Sequence, residues 1–194
     1  VYRAEYVNGK WSKWKNVGTC EKNVFGCIDK GVKSGVKYRY TVKAVNGDYK
    51  SSFVTKSGLV FLTQPTVSVA KTSGGIKVTW DKVSGATSYI VYRSEYNTQT
   101  KKWSSWKKIS APKTTKYTDK TAKSGVKYKY TVKAVNGKTA STYTSSSSLL
   151  YLAQPKVAVR ALSSGIKVAW VQSTGATSYK IYRSEYNAKT KKWS

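Results

Sequence analysis

The sequence repeats itself with a period of 90 residues, and this period constrains the fold more than any other feature. Tyr40–Gly47 returns unchanged as Tyr130–Gly137, and Gly75–Trp80 returns with one change as Gly165–Trp170. A unit of this length is long for a solenoid repeat and suits a small domain with its own core. Because the 194 residues hold little more than two periods, we expect incomplete repeats beside a complete one.

Apolar and polar residues alternate from Val126 to Val135, which predicts a strand with one buried face. The Asn136–Gly137 pair that follows favours a tight hairpin turn. The predicted inward residues are Tyr128, Tyr130, Val132 and Ala134. The predicted outward residues are Lys127, Lys129, Thr131 and Lys133.

Two further segments of the same repeat have strand character. Ile76–Trp80 alternates, and Ser88–Arg93 is rich in β-branched and aromatic residues. The residues predicted to be buried in these strands are Ile76, Val78, Trp80, Tyr89 and Val91. Tyr92 is expected to face outward, and Trp170 is expected to be a core residue like Trp80. Short strands with frequent turn signals are typical of a β-sandwich.

The order of these segments resembles a fibronectin type III domain. Gly75–Trp80 resembles its strand B, Ala86–Arg93 its strand C, Trp103–Ile109 its strand C′, and Tyr117–Tyr128 the stretch from strand E to the start of strand F. The resemblance is closest to the lysine-rich tandem repeats in secreted and surface proteins of Gram-positive bacteria. It implies an all-β fold of tandem seven-stranded immunoglobulin-like sandwiches, with Tyr128 as a tyrosine corner.

In the frame of this family, residues 63–152 form a complete domain. Residues 1–62 supply strands C to G of a preceding repeat, and residues 153–194 supply strands A to C or C′ of a following one. The apolar runs Leu59–Leu62 and Leu149–Leu152 indicate contact between neighbouring domains and a stiff array. Truncation of a longer array is the favoured explanation of the incomplete repeats, and head-to-tail self-association through them is the alternative.

The chain contains few residues of the types that carry out catalysis or bind metals. Histidine, the commonest general base and metal ligand, is absent, and the eight acidic residues show no spacing typical of a catalytic pair. Cys20 and Cys27 cannot complete a zinc site without histidine, so we expect a local disulfide and an extracellular setting. No enzyme activity, metal or other cofactor is expected, and no apolar run is long enough to span a membrane.

Charge and aromatic residues point instead to binding. The chain carries 36 Lys+Arg and only 8 Asp+Glu, a formal net charge of +28. Lysine outnumbers arginine, which favours diffuse attraction to polyanions over sequence-specific nucleic-acid recognition. In Trp103 and Trp106 we expect one inward and one outward ring, because they lie three apart. The candidate binding residues are Tyr92, Tyr96, Trp103, Trp106, Lys107, Lys108, Lys127, Lys129 and Lys133.

These observations favour a non-catalytic extracellular tandem-repeat module. It would serve as a spacer or adhesive stalk of a bacterial surface or secreted protein. Its basic aromatic sheet face would bind an anionic cell-wall or host polymer, or a host protein. Carbohydrate-binding repeats of a secreted enzyme are one alternative, and an immunoglobulin- or matrix-binding surface protein is another.

Overall fold

The structure is a computed structural model that describes residues 1–53 and 58–194. All regular elements in these ranges are β-strands, which confirms the predicted all-β class. No helix among the described residues has the length and apolar character needed to cross a membrane.

Strands in the first repeat form one main sheet and a separate hairpin. They are β1 (Tyr2–Val7), β2 (Lys10–Trp11), β3 (Lys15–Asn16), β4 (Lys37–Thr41), β5 (Val45–Asn46), β6 (Tyr49–Lys50) and β7 (Leu59–Val60). Strand β1 pairs with β2, β3 and β4, and β4 pairs with β7, all antiparallel. The hairpin β5–β6 stands apart from this sheet.

Strands in the second repeat form two sheets. They are β8 (Val67–Thr72), β9 (Gly75–Trp80), β10 (Ser88–Asn97), β11 (Lys102–Trp103), β12 (Lys107–Ser110), β13 (Lys116–Asp119), β14 (Lys127–Asn136), β15 (Thr139–Ala140) and β16 (Leu149–Leu150). One sheet has the order β13–β9–β8; in the other, β10 pairs with β11, β12 and β14, and β14 pairs with β15 and β16. This division of strands is that of a fibronectin type III sandwich.

The predicted inner face of the second repeat is confirmed. Ile76 and Val78 from one sheet and Val91, Tyr128 and Tyr130 from the other are fully buried in a single core. The hydroxyl of Tyr128 accepts a hydrogen bond from the Lys123 backbone N–H at 2.8 Å, so the predicted tyrosine corner is formed. Thr131 lies on the outer side of the sheet, as predicted, but it is not exposed. The segment that precedes β16 covers its side chain, and its hydroxyl donates to the Thr144 carbonyl at 2.7 Å.

Strands in the third repeat form two hairpins: β17 (Val157–Leu162) with β18 (Gly165–Trp170), and β19 (Tyr186–Asn187) with β20 (Lys192–Trp193). Every residue of β17 and β18 is exposed. The expectation of a core Trp170 is therefore wrong: the residue is 36% exposed, because no second sheet covers the hairpin in the described structure. The ring of Trp170 packs on the ring of Tyr179, with the ring centroids 5.3 Å apart.

The predicted disulfide between Cys20 and Cys27 is not formed, and both residues are free thiols. Both cysteines lie within residues 17–36, which contain no strand. Although Cys27 is exposed, partial desolvation and a hydrogen bond with Cys20 raise the pKa of its thiol.

Neighbouring repeats meet at two joints with the same construction. At the first, a Cβ on Gly85 would lie 2.2 Å from the Cα of Gly35; at the second, a Cβ on Gly175 would lie 2.4 Å from the Cα of Gly125. A serine hydroxyl bridges each joint: Ser34 Oγ donates to the Ser84 carbonyl at 2.9 Å, and Ser124 Oγ donates to the Thr174 carbonyl at 2.6 Å. Both contacts depend on glycine, because no side chain fits between the two backbones.

We expect Gly85→Ala to open the first joint, because the added methyl group would overlap the Gly35 backbone. Small-angle X-ray scattering should then show a change in the overall dimensions of the chain. Gly137→Ala is the matched control: Gly137 also has a positive φ (56°), but a Cβ there meets nothing within 4 Å. Identical scattering from the two variants would contradict the claim that the contact between Gly35 and Gly85 holds the first joint together.

Candidate functional site: a cation–aromatic sheet face

A buried ionic network joins the two sheets of the second repeat. Asp119 ends strand β13 and is fully buried, and its Oδ2 accepts from Arg93 Nη1 at 2.8 Å and from the Tyr130 hydroxyl at 2.9 Å. Arg93 Nη2 also donates to Glu95 at 2.5 Å. Because Arg93 and Glu95 turn inward, the alternate residues of β10 lie on the other side of the sheet.

The Asp119 carboxylate has no free acceptor position for chemistry. Its Oδ1 accepts from the Thr121 backbone N–H at 2.9 Å and from the Thr121 hydroxyl at 2.7 Å, while Oδ2 is occupied as described above. Burial opposes ionisation, but the hydrogen bonds from Thr121, Arg93 and Tyr130 outweigh it and hold the pKa of Asp119 below its usual range. The ionised Asp119 carboxylate therefore links the two sheets, and it is not available as a general base.

Lysines and aromatic rings alternate across the outer side of the sheet that contains β10 and β14. Lys127 Nζ lies 6.0 Å from the centroid of the Tyr96 ring, and Tyr96 packs on Trp103 with centroids 5.2 Å apart. Lys129 Nζ lies 4.4 Å from the Trp103 centroid. These are cation–π distances. Each of these two ammonium groups therefore lies against an aromatic ring on this side of the sheet.

The same side of the sheet continues toward the other end of β14. Lys133 Nζ lies 5.0 Å from the centroid of the Tyr143 ring, and the rings of Tyr143 and Trp106 form a T-shaped pair with their centroids 6.1 Å apart. We call this surface the cation–aromatic face; it consists of Tyr96, Trp103, Trp106, Tyr143, Lys127, Lys129 and Lys133.

The first repeat carries the same surface in a more continuous form. Arg39 lies between two tryptophans, with Cζ 4.4 Å from the centroid of Trp11 and 5.0 Å from that of Trp14. Trp14 packs on Phe53 at 5.7 Å, and Lys43 Nζ lies 5.0 Å from the Phe53 centroid. Two copies of one surface thus recur along the chain.

The strand register places Lys107 and Lys108, two of the predicted binding residues, on opposite sides of the sheet. Tyr92 lies opposite Lys108 on one side and Thr131 on the other, so Tyr92 and Lys108 share the outer side of the sheet. Lys107 lies opposite Arg93, whose side chain turns toward Asp119. Residues directly opposite each other point to the same side, which places Lys107 away from the cation–aromatic face.

The expectation of opposite orientations for Trp103 and Trp106 is not met. Both rings are half-buried and both contact residues of the outer side, Trp103 through Lys129 and Trp106 through Tyr143. The parity argument holds only within a continuous strand, and residues 104–106 separate β11 from β12. In this interruption, Ser104 Oγ accepts a hydrogen bond from the Glu95 backbone N–H at 3.0 Å, which fixes the segment against β10.

The binding residues predicted from the sequence do not include Tyr143, Phe53 or Arg39. Tyr143 and Phe53 are related by the 90-residue period and are the aromatic residues of otherwise polar segments. That recurrence was the signal that could have identified them. Arg39 corresponds to Lys129 by the same period, so a cation recurs at this position.

We expect Asp119→Asn to lower the free energy of unfolding at neutral pH by about 3 kcal/mol, because it leaves a largely buried Arg93 without its main counter-charge. Asp119 has a lowered folded-state pKa, so its contribution is present above the unfolded value of about 3.9 and disappears as pH falls through the folded value. The deficit of the variant should therefore shrink in acid. Urea unfolding followed by tryptophan fluorescence between about pH 7 and about pH 2 measures it.

Asp81→Asn neutralises an exposed carboxylate of the same repeat and serves as the control. It should leave the unfolding free energy nearly unchanged. A deficit of Asp119→Asn that persists unchanged at low pH would show that the ionised carboxylate is not what stabilises the sandwich.

No protein-family model and no curated protein matches the chain. Among solved structures, it is similar to a segment of two fibronectin type III domains from chicken tenascin, with 22% identity, a TM-score of 0.42, and coverage of 77% of this chain and 83% of that one. It is also similar to the FN1–FN3 domains of chicken CNTN1, with 20% identity, a TM-score of 0.32, and coverage of 91% of this chain and 66% of that one.

Proposed function

We propose that the chain is a non-catalytic extracellular tandem-repeat module that binds anionic polymers through its cation–aromatic face. The observation that carries the proposal is the ordered placement of lysines on aromatic rings in the second repeat and its recurrence in the first. In a strand, alternate residues such as Lys127 and Lys129 are spaced by about 7 Å. An array of fixed cations at this spacing suits a flexible polymer with regularly placed negative charges.

Electrostatics supports a polymer ligand over a small one. The net charge of +28 attracts polyanions from a distance, and the effect weakens with added salt. Lysine ammonium groups are compact point charges without the planar fork that reads a particular base or carboxylate. The ligand class that fits is a polymer with repeated phosphate, sulfate or carboxylate groups, as in bacterial cell walls and host glycans.

A spacer role agrees with the joints between repeats. Each joint combines a glycine–glycine backbone contact with a serine bridge, so each repeat is held against the next by the same contacts. Such a tandem array would display several copies of the face in a regular row and gain affinity through multivalency. We place it in a secreted or surface protein, and the resemblance to lysine-rich repeats favours a Gram-positive bacterium as the source.

The geometry does not favour the alternative of neutral carbohydrate stacking. Such binding needs an open aromatic ring face, and Lys129 lies over the ring of Trp103. No structural observation favours a particular host protein.

We expect the triple variant Lys127→Gln, Lys129→Gln, Lys133→Gln to bind a fluorescent glycerol-phosphate polymer more weakly than the unmodified chain. Duplex DNA calibrates the effect: the slope of log K against log salt should fall by up to about 0.9 for each lysine that contacts a phosphate. Fluorescence anisotropy at several salt concentrations measures both ligands.

The matched control changes three exposed lysines on or next to the other sheet, Lys77→Gln, Lys116→Gln and Lys120→Gln. It removes the same charge but leaves the cation–aromatic face intact. Equal losses from the two triple variants would show that attraction is spread over the whole surface. Binding to a host protein that withstands high salt while the polymer fails to bind would contradict the proposal.

A further inference from the structure

Arg39 differs from Arg3, Arg93 and Arg183 in having no counter-charge among the described residues. Arg3 and Arg93 each pair with two carboxylates, and Arg183 pairs with Glu185. The Arg39 guanidinium forms no ion pair or hydrogen bond within residues 1–53 and 58–194, and its Nε is buried without a partner. A guanidinium is always charged and carries five N–H donors. These donors are therefore unused in the part of the chain that the structure describes.

Two indole rings keep water away from this guanidinium. Arg39 Cζ lies 4.4 Å from the centroid of the Trp11 ring and 5.0 Å from that of the Trp14 ring, and all three residues are half-buried. Rings at these distances attract the cation but leave its N–H donors to be satisfied by other groups. Because attraction between charges strengthens as water is excluded, an oxyanion that reaches Arg39 would bind more tightly than one beside a hydrated lysine.

Lysines on the same side of the sheet flank Arg39. Lys37 precedes it by two residues in β4, and Lys37 Nζ lies 5.7 Å from the centroid of the Tyr6 ring. Lys43 Nζ lies 5.0 Å from the centroid of the Phe53 ring. These ammonium groups attract anions but, as point charges, do not orient them. Arg39 differs because its planar fork can pair with two oxygens of one group at once.

The position of Arg39 is on the side of the sheet that faces away from the core of a sandwich. Lys129 corresponds to Arg39 by the 90-residue period, and in the complete second repeat it lies over Trp103 while its neighbours Tyr128 and Tyr130 are buried in the core. A second layer packed on the first repeat would likewise lie on the opposite side of the sheet from Arg39. The surroundings of Arg39 therefore do not depend on what covers that inner side.

We propose that Arg39, set against Trp11 and Trp14, binds a single oxyanion group that presents two free oxygens on one atom, such as a phosphodiester, a sulfate ester or a carboxylate. The anion would supply the counter-charge that the described residues do not. The inference deepens the proposed function and rests on it for the polymer. The first repeat would orient one anionic group of the polymer, whereas Lys129 in the second repeat supplies charge alone.

The first test removes the fork and keeps the charge. Arg39→Lys should weaken binding of the fluorescent glycerol-phosphate polymer at physiological salt by about tenfold, the loss of one charge-assisted hydrogen bond. The slope of log K against log salt should stay unchanged, because the number of cations is conserved. Lysine suits the fold at this position, since Lys129 occupies the corresponding one. Fluorescence anisotropy measures both quantities.

Arg160→Lys is the matched control, because it makes the same exchange at an exposed arginine of β17. It should leave both the affinity and the salt slope unchanged. If Arg39→Lys also binds like the unmodified chain, the fork of Arg39 recognises nothing and the inference is overturned. The proposed function would survive that result, because the lysine triple variant tests it separately.

The second test observes Arg39 directly and needs no polymer. The chain has five arginines, so the isotopically labelled protein gives few side-chain Nε–H signals, and Arg39→Lys identifies the one from Arg39. Sodium dimethyl phosphate, sodium methyl sulfate and sodium acetate are added separately, with sodium chloride at equal ionic strength as the reference. The Arg39 signal should shift and saturate with one or more of the oxyanions but not with chloride.

The anion that saturates the Arg39 signal at the lowest concentration identifies the preferred group. No shift with any oxyanion, or a shift of the same size with chloride, would overturn the inference. If the polymer fails to bind while Arg39 responds to an oxyanion, the proposed function fails and the oxyanion site stands.

Discussion

The buried contact among Arg93, Asp119 and Tyr130 determines how the second repeat is arranged. Asp119 belongs to one sheet, while Arg93 and Tyr130 belong to the other, so the network ties the two layers together across the core. A carboxylate in this position is stable only when it is paired and fully hydrogen-bonded. Its partners can therefore occupy only one side of β10 and β14.

This constraint also produces the outer surface. Once Arg93 and Tyr130 point inward, Lys127, Lys129 and Lys133 must project from the other side, where the aromatic residues of neighbouring strands meet them. Arg3, Asp29 and Tyr40 form the same network in the first repeat, and a second cation–aromatic surface lies on the opposite side of that sheet. The core and the proposed binding surface thus follow from one pattern of alternation.

Much of this arrangement could be predicted from alternation and period. The buried Tyr128, Val132 and Ala134 followed from a strict alternation, and the tyrosine corner followed from the family resemblance. The exposure expected for the Thr131 side chain is not found, because a later polar segment folds over it, and strand parity does not indicate such a cover.

Other predictions were wrong where a strand was interrupted or where no second sheet covered it. The two tryptophans, Trp103 and Trp106, share one side because the strand is broken between them. Trp170 is exposed because its hairpin has no second sheet against it in the described structure, and the cysteine pair lies in a segment that forms no strand. Tertiary context, rather than local propensity, decides such positions.

The central claim is that the cation–aromatic face, and not the charge of the chain as a whole, recognises anionic polymers. Amide chemical shifts of the isotopically labelled chain, recorded while a glycerol-phosphate polymer is added at physiological salt, test it most directly. The shifted amides should cluster in β10, β11 and β14 and in their counterparts β1, β2 and β4. Shifts of similar size in β9 and β13, on the opposite sheet, would contradict it.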